Sequence, residues 1–460
     1  MRHHEQLALT PRPIAHLHAR ELETMSALLD EEPRIAALAE QDLLSFCKRN
    51  PRTGRPGLTG DQVIRMAIVR QMNSWTYEEL AFHLADSSSY RTFCGVSPLL
   101  DGPSKSAVAD NIRKLRPATL RTINDLLVQA AARQGVERGR TVRIDSTVVE
   151  AAIHAPTDSS LLYDGIRVLI RLLREAERLT GFDAFHTHAK RAKRRLLEIQ
   201  HTHANAKRKR RRAYRDLITL ARATTDYAAS ALTHLEGYME EISSTEWMKT
   251  QPIAKLDKLR QRMSEQLLLL LRVIDQTARR VLHEESVPAE EKVVSLFEPH
   301  ADVIVKDRRE TYYGHKIFLT GGASGLITDC AIAKGNPADS TWATPMLRRQ
   351  REIYGRVPRQ ASFDGGFASR ENLARAKEIG VKDVCFSKRR GLAVLDMVRS
   401  SWVYRKLKRF RAGIESVISL LKRAFGLDRC TWKGERGFIS YVRMGVIAAN
   451  LLTMARHRLA

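Results

Sequence analysis

Cysteine is scarce: Cys47, Cys94, Cys330, Cys385 and Cys430 are spread over 460 residues, odd in number and without a C-x2-C pair. That spacing argues against a zinc ribbon and a disulfide scaffold, and the expectation is reduced, mostly buried thiols in a cytoplasmic protein. No uninterrupted apolar run approaches the roughly 18 residues of a spanning helix. The opening MRHHEQLALTPRP has no apolar core before a cleavage site, so neither a membrane span nor a secretory signal is expected. No Ser–His–Asp or Cys–His pattern stands out, which leaves covalent nucleophilic catalysis without a candidate. The tight histidine pairs, His186 with His188 and His201 with His203, sit two residues apart. On a helix such residues point about 200° away from each other, so neither pair makes a chelating face. Acid is also short, with 52 Asp plus Glu against 77 Lys plus Arg, a net charge of +25. An excess of that size favours a polyanionic partner, nucleic acid first and an anionic membrane surface second.

What is present suits a globular chain of two or three domains, with 43% hydrophobic and 28% charged residues. Residues 1–47 read as helical, and Lys48–Gly60 is a Pro/Gly-rich basic linker. Short helices follow: one over 61–71, one opened by the capping box Thr76–Glu79, one capped by Ser104, and one started by Pro117 and ended by Gly135. The pattern suits a helix-turn-helix-like module in which Lys105, Asn111, Arg113 and Lys114 face DNA. It suits a dimerisation or packing module equally. From Leu161 to about Glu285 the pattern is helical again. Leu256, Leu259, Met263, Leu267, Leu270, Ile274 and Val281 fall on one packed stripe. Residues 189–215 carry twelve Lys or Arg and one acid, and Lys207, Arg208, Lys209, Arg210, Arg211 and Arg212 are consecutive. A solvated face would intersperse signs, so this run points to phosphate contact, the alternative being a surface patch without function.

Strand patterns flank the helical region. Val142–Glu150, VRIDSTVVE, has the two-residue period of a half-buried strand rich in β-branched residues. After the helices come strand segments at 302–306, 313–320, 325–333, 360–364 and 381–386, with helices over 340–354 and 368–378. Three strands in succession, then strand–helix alternation, predict a mixed α/β sheet whose first strand precedes the helical insertion.

Three acids stand out. Asp145 lies within the first strand, where a carboxylate must be paired, solvated or bound to a cation. A metal ligand fits, and so does an Asp satisfied by an Arg or a backbone cap. Asp364 ends a short apolar strand and precedes Gly365-Gly366-Phe367, which fits a catalytic turn or a simple cap. In Phe410–Arg423 a helix puts Phe410, Ile414, Val417 and Leu421 on one face, with Arg411, Glu415 and Lys422 on a neighbouring stripe. A metal-binding Glu beside phosphate-binding cations fits, and so does an i,i+4 salt bridge. Lys408 and Arg409 belong to five basic residues between Arg405 and Arg411. Asp158, Asp329 and Asp383 serve as comparison carboxylates outside this set.

IDSTVVEA with Asp145, the D-x-G-Phe turn at Asp364, and Arg411, Glu415 and Lys422 at R-(3)-E-(6)-K spacing resemble the DDE transposases of bacterial insertion sequences. The motif's Tyr position is Lys408, a departure, and Tyr404 is out of register. IHAPTDSSLLYDGIRVL, GHKIFLT and Gly335–Ser340 also resemble family segments, the first of them the ISNCY-type group with its helical insertion. The resemblance implies an RNase H-like catalytic domain over 139–160 and 295–460, interrupted by a helical insertion over 161–294. An N-terminal helical, DNA-binding domain over 1–138 would precede it. It implies that Asp145, Asp364 and Glu415 hold two Mg²⁺ ions, for which Mn²⁺ substitutes, while Arg411 and Lys422 contact phosphate. It also implies double-stranded DNA as partner and a homodimer or higher oligomer on that DNA, with no membrane. The rivals are a nuclease with the same metal site but no strand transfer, and a DNA-binding regulator without activity.

Overall fold

The computed structural model describes residues 16–46, 57–97, 101–203, 205–244, 251–306 and 310–460. Cys47, most of the basic linker and the first part of the N-terminal helical stretch lie outside them. The order begins with α1 (Leu17–Asp30), α2 (Arg34–Ser45), α3 (Gly60–Met72), α4 (Tyr77–Asp86), α5 (Ser88–Phe93), α6 (Lys105–Ile112) and α7 (Pro117–Arg133). Strand β1 (Thr141–Glu150) follows, then α8 (Asp158–Thr180), α9 (Ala189–His201), α10 (Lys207–Ser244) and α11 (Gln251–Thr277). The chain continues with β2 (Asp302–Lys306), β3 (Glu310–Gly321), β4 (Ile327–Ile332), α12 (Ala343–Tyr354), β5 (Gln360–Phe363) and α13 (Arg370–Glu378). It closes with β6 (Asp383–Phe386), α14 (Val394–Met397), α15 (Ser401–Ala424) and α16 (Gly434–Leu459).

Local chemistry sets the N-terminal helix boundaries. The Thr76 hydroxyl accepts from the Glu79 N–H while the Glu79 carboxylate accepts from the Thr76 N–H, satisfying two donors that the first turn of α4 leaves open. Thr59 and Gln62 do the same for α3. Ser104 caps α6, and Pro117 occupies the first turn of α7, where a missing N–H costs nothing. Gly135, at φ +78°, turns the chain out of α7.

Contacts divide the chain into two units, residues 1–150 with 315–460, and residues 151–314. In the first, β1, β5 and β6 are parallel neighbours, with Ile144 opposite Phe363 and Phe363 opposite Phe386. β3 adjoins β1 on its other side and pairs antiparallel with β4. The result is a mixed α/β fold. The expectation of a half-buried β1 is not met: Val142–Asp145 and Thr147–Val149 are all buried. β1 is a central strand covered on both faces, so its polar residues must find partners inside.

The N-terminal helices share a core with α16, which packs on α1, α3 and α7. α16 is long and apolar enough, by length and composition, to cross a membrane. Its apolar surface is instead mostly buried against those helices, as for the core helix of a large unit. Cys94, Cys330, Cys385 and Cys430 are buried and form no disulfide among the described residues.

The second unit is a helical bundle of α8, α10 and α11 with α9 against it. The stripe on α11 is buried at Leu256, Leu259, Met263, Leu270 and Ile274 and partly buried at Leu267. β2 pairs antiparallel with the opening residues of β3, Asp302 opposite Gly314.

Candidate active site

Asp145 and Asp364 come together through strand register. β1 and β5 run parallel with Ile144 opposite Phe363, so each Asp is the next residue along its own strand. β5 ends there because Asp364 leads into the tight turn Gly365–Phe367. Side chains at the ends of adjacent parallel strands face one crevice, the usual place for function in α/β folds.

α15 supplies the third side. It packs against β1, β5 and β6. Three hydrogen bonds stitch it to them: Arg143 to the Phe410 carbonyl at 3.1 Å, Ser362 to the Leu407 carbonyl at 3.0 Å, and Tyr404 to the Phe386 carbonyl at 3.0 Å. Ile414 and Leu421 point inward and are fully covered. Gly413 permits the close approach, since a Cβ there would collide with the Arg143 guanidinium.

The guanidinium of Arg411 sits where these elements meet. Its Nη2 is 3.1 Å from Asp145 Oδ2 and 3.1 Å from Asp364 Oδ1, and its Nη1 is 2.9 Å from Glu415 Oε1. Three carboxylates drawn from two strands and one helix therefore share one cation. When all are ionised the group carries a net charge of two negative. Asp145 is 9% exposed, whereas the Glu415 side chain is 61% exposed. The two Asp carboxyls titrate apart. Burial pushes Asp145 up to about 6, against the Ser146 N–H and Arg411, and nearby Asp364 adds to the rise. Burial acts on Asp364 in the same sense but is outweighed by the Gly365 N–H, the Ser387 hydroxyl at 2.9 Å and Arg411, which hold it below the usual value. Burial works against the charge on Arg411, yet Asp145, Asp364 and Glu415 raise its pKa overall. Pairs pushed apart in this way are found where proton or metal chemistry is done, and also in structural networks.

Other expected residues lie elsewhere. Lys422 pairs with Asp428 at 3.3 Å. Lys408 and Arg409 are exposed on α15 without an ion pair among the described residues. In the second unit, Lys207–Arg210 and Arg212 are exposed at the start of α10, while Arg211 bonds to the Leu282 carbonyl and lies 3.8 Å from Glu284. Lys105 pairs with Glu78 at 2.7 Å and Lys114 with Asn111 at 3.0 Å. The comparison acids are not inert: Asp158 is bound by Arg280, Asp329 by Arg349 and Asp383 by Gln360, all buried. Removing one partner of a buried pair costs about 3–5 kcal/mol, so changing them tests stability and not chemistry.

One carboxylate escaped the sequence reading. Asp339 accepts from the Ser146 hydroxyl at 3.0 Å and pairs with Lys316 at 2.7 Å. The missing Cβ of Gly366 leaves it room. Its only sequence signal was the family likeness of the segments holding Lys316 and Asp339.

Among the described residues no group of three His, Cys, Asp or Glu stands close enough to hold a metal ion. The carboxylates converge on Arg411 rather than on each other. Their hard oxygens and net negative charge are nevertheless the donor set that Mg²⁺ takes.

Residues 271–451 match the family model of the transposase DDE domain. The match supports a DDE transposase family. It contains Asp364, Arg411 and Glu415, and it begins after Asp145. No curated protein and no solved structure matches the chain.

Proposed function

We propose that this protein is a DNA transposase of the DDE type that binds the ends of an insertion sequence, cuts them and joins them to target DNA. The carrying observation is the meeting of Asp145, Asp364 and Glu415 on Arg411. The match over 271–451 supports it independently. In this reading the catalytic domain is RNase H-like, over 139–160 and 295–460, with 161–294 an insertion of the ISNCY type and 1–138 an N-terminal DNA-binding part. Asp145, Asp364 and Glu415 would hold the divalent ions, Mg²⁺ or in its place Mn²⁺. Bound there, such ions supply an activated water or 3′-hydroxyl and a stabilised leaving oxygen.

The chain's own residues do the rest. Arg411, freed from the carboxylates, turns its fork to a phosphate. Asp364, held ionised by its N–H and hydroxyl donors, keeps its charge below neutral pH. Lys408, Arg409 and Lys422 line the approach of the backbone, and Lys207–Arg212 add phosphate contacts from the insertion. The working form is a homodimer or larger assembly on double-stranded DNA, in the cytoplasm.

The test uses labelled oligonucleotides carrying the element's ends. Metal-dependent joining to a target duplex is the expected result. Cleavage without joining would leave a nuclease, and binding alone a regulator. Asp364→Asn and Glu415→Gln should each abolish joining, and the double variant should be little worse than either, since groups acting as a unit are not additive.

A further inference from the structure

A pocket of about 700 Å³ lies in the first unit, between the turn that joins α3 to α4 and the segment that enters α16. Among the described residues four cations and three aromatic rings line it, with no Asp or Glu. It shares no residue with the carboxylate site.

Its floor is Arg70, 7% exposed. The guanidinium carbon lies 4.2 Å from the centre of the Tyr77 ring and 5.3 Å from that of Trp432. Its Nε is buried without a hydrogen-bond partner among the described residues, as is the indole Nε1 of Trp432. Among the described residues it has no ion pair, and burial lowers its pKa. Arg65, five residues earlier on the same helix and equally buried, shows the ordinary solution: it holds Asp30 at 2.5 Å and Asp61 at 2.8 Å. A buried cation without such a counter-charge is costly to keep. Arg113, from the end of α6, adds a second charge over the Tyr77 ring at 5.4 Å. Ser74 bends the turn with φ +55°, a conformation an L-residue adopts only under constraint. The next residue is Trp75, stacked on His83 at 4.1 Å.

We infer that this pocket binds a nucleotide, with its phosphate against Arg70 and Arg113, which Tyr77 backs, and its base against the ring of Trp432. An anion alone would answer the charge. It would not use the Trp432 ring, which a base does by stacking. A free nucleotide and an unpaired nucleotide within a DNA strand share this chemistry. The inference goes beyond the transposase reading and does not need the three carboxylates.

The experiment titrates the full-length protein with dAMP, with inorganic phosphate, and with a short oligonucleotide offered single-stranded or as a duplex, following tryptophan fluorescence and equilibrium dialysis. Single strand bound in preference to duplex and dAMP identifies a strand nucleotide as the occupant. dAMP bound as tightly as the single strand identifies a free nucleotide. In either case Trp432→Ala should weaken binding roughly 10-fold or more, as loss of a stacking platform does. Trp432→Phe, which keeps a ring, should recover most of it. Arg70→Met should weaken binding comparably without lowering the melting temperature, because it removes an uncompensated buried charge. Phosphate bound as tightly as dAMP would overturn the inference. So would binding unchanged in Trp432→Ala and Arg70→Met proteins that melt normally.

Discussion

Replacing Asp145 by Asn should stabilise the metal-free protein at neutral pH. The carboxyl, burial being the chief cause, titrates at about 6 in the fold against an ordinary value of 3.8. Between those values the native state keeps a proton that the unfolded chain gives up. Stability therefore falls as pH rises through this window, and the loss is complete above about pH 6. The gap of about two pH units, at 1.36 kcal/mol each, amounts to about 3 kcal/mol. Asparagine keeps the shape, and its one amide oxygen can still accept from the Ser146 N–H; the bond from Arg411 is lost, but Arg411 keeps Asp364 and Glu415, so the uncharged side chain escapes most of this cost. Denaturant unfolding in EDTA, repeated from pH 4 to pH 8, measures it. The variant should match the wild type near pH 4 and exceed it by up to about 3 kcal/mol at pH 8. Added Mg²⁺ should then stabilise the wild type, by an amount that rises with the logarithm of its concentration, and leave the variant nearly unmoved. An Asp145→Asn protein that is less stable at pH 8, by an amount independent of pH, would refute the reasoning. Asp145 would then be an ordinary partner of Arg411.

Gly413→Ala should cost about 1–3 kcal/mol although alanine favours helices, because its methyl drives Arg143 off the Phe410 carbonyl; thermal melting checks it, and a stabilised variant would show that α15 does not need that approach. Changing Lys207–Arg212 together to Ala should lower affinity for DNA of any sequence and flatten its salt dependence, with the fold retained; an unchanged salt slope in filter binding would remove this run from the DNA interface. Asp125, raised to about 6 by burial and then by Asp329, should make stability decline between about pH 4 and pH 6, and Asp125→Asn should flatten that part of the pH–stability profile.

The parts of the site legible in the sequence were those with a local signature. The β-branched alternation around Asp145 marked a strand, the glycines after Asp364 marked its end, and the four-residue step from Arg411 to Glu415 marked a shared helical face. All three readings give elements the fold contains, and Arg411 does bridge the acids. Local pattern also suggested one exposed face for β1, and there it failed. Whether a strand is covered on one side or both depends on its neighbours, and one of them, β5, lies 219 residues further on. The same limit hid Asp339, which reaches Ser146 only across the sheet, and left Lys422 without its actual partner, Asp428. Arg70 and Trp432 carry no spacing relation at all, and only the packing of α16 on α3 brings them together.

The pairing of β1 with β5 joins Thr141 to Gln360, 219 residues apart. On a ribosome adding about 5–20 residues per second, roughly 10–40 s separate the emergence of the two strands. For that interval β1, covered on both faces in the finished fold, lacks its parallel neighbour. Long-range parallel pairing is intrinsically slow and open to aggregation. The helices from α8 to α11 emerge during the wait, and their core draws only on residues 161–296, so they can close without the sheet. What interrupts the sheet in sequence is thus a body able to fold first, and the carboxylate site is among the last features to form.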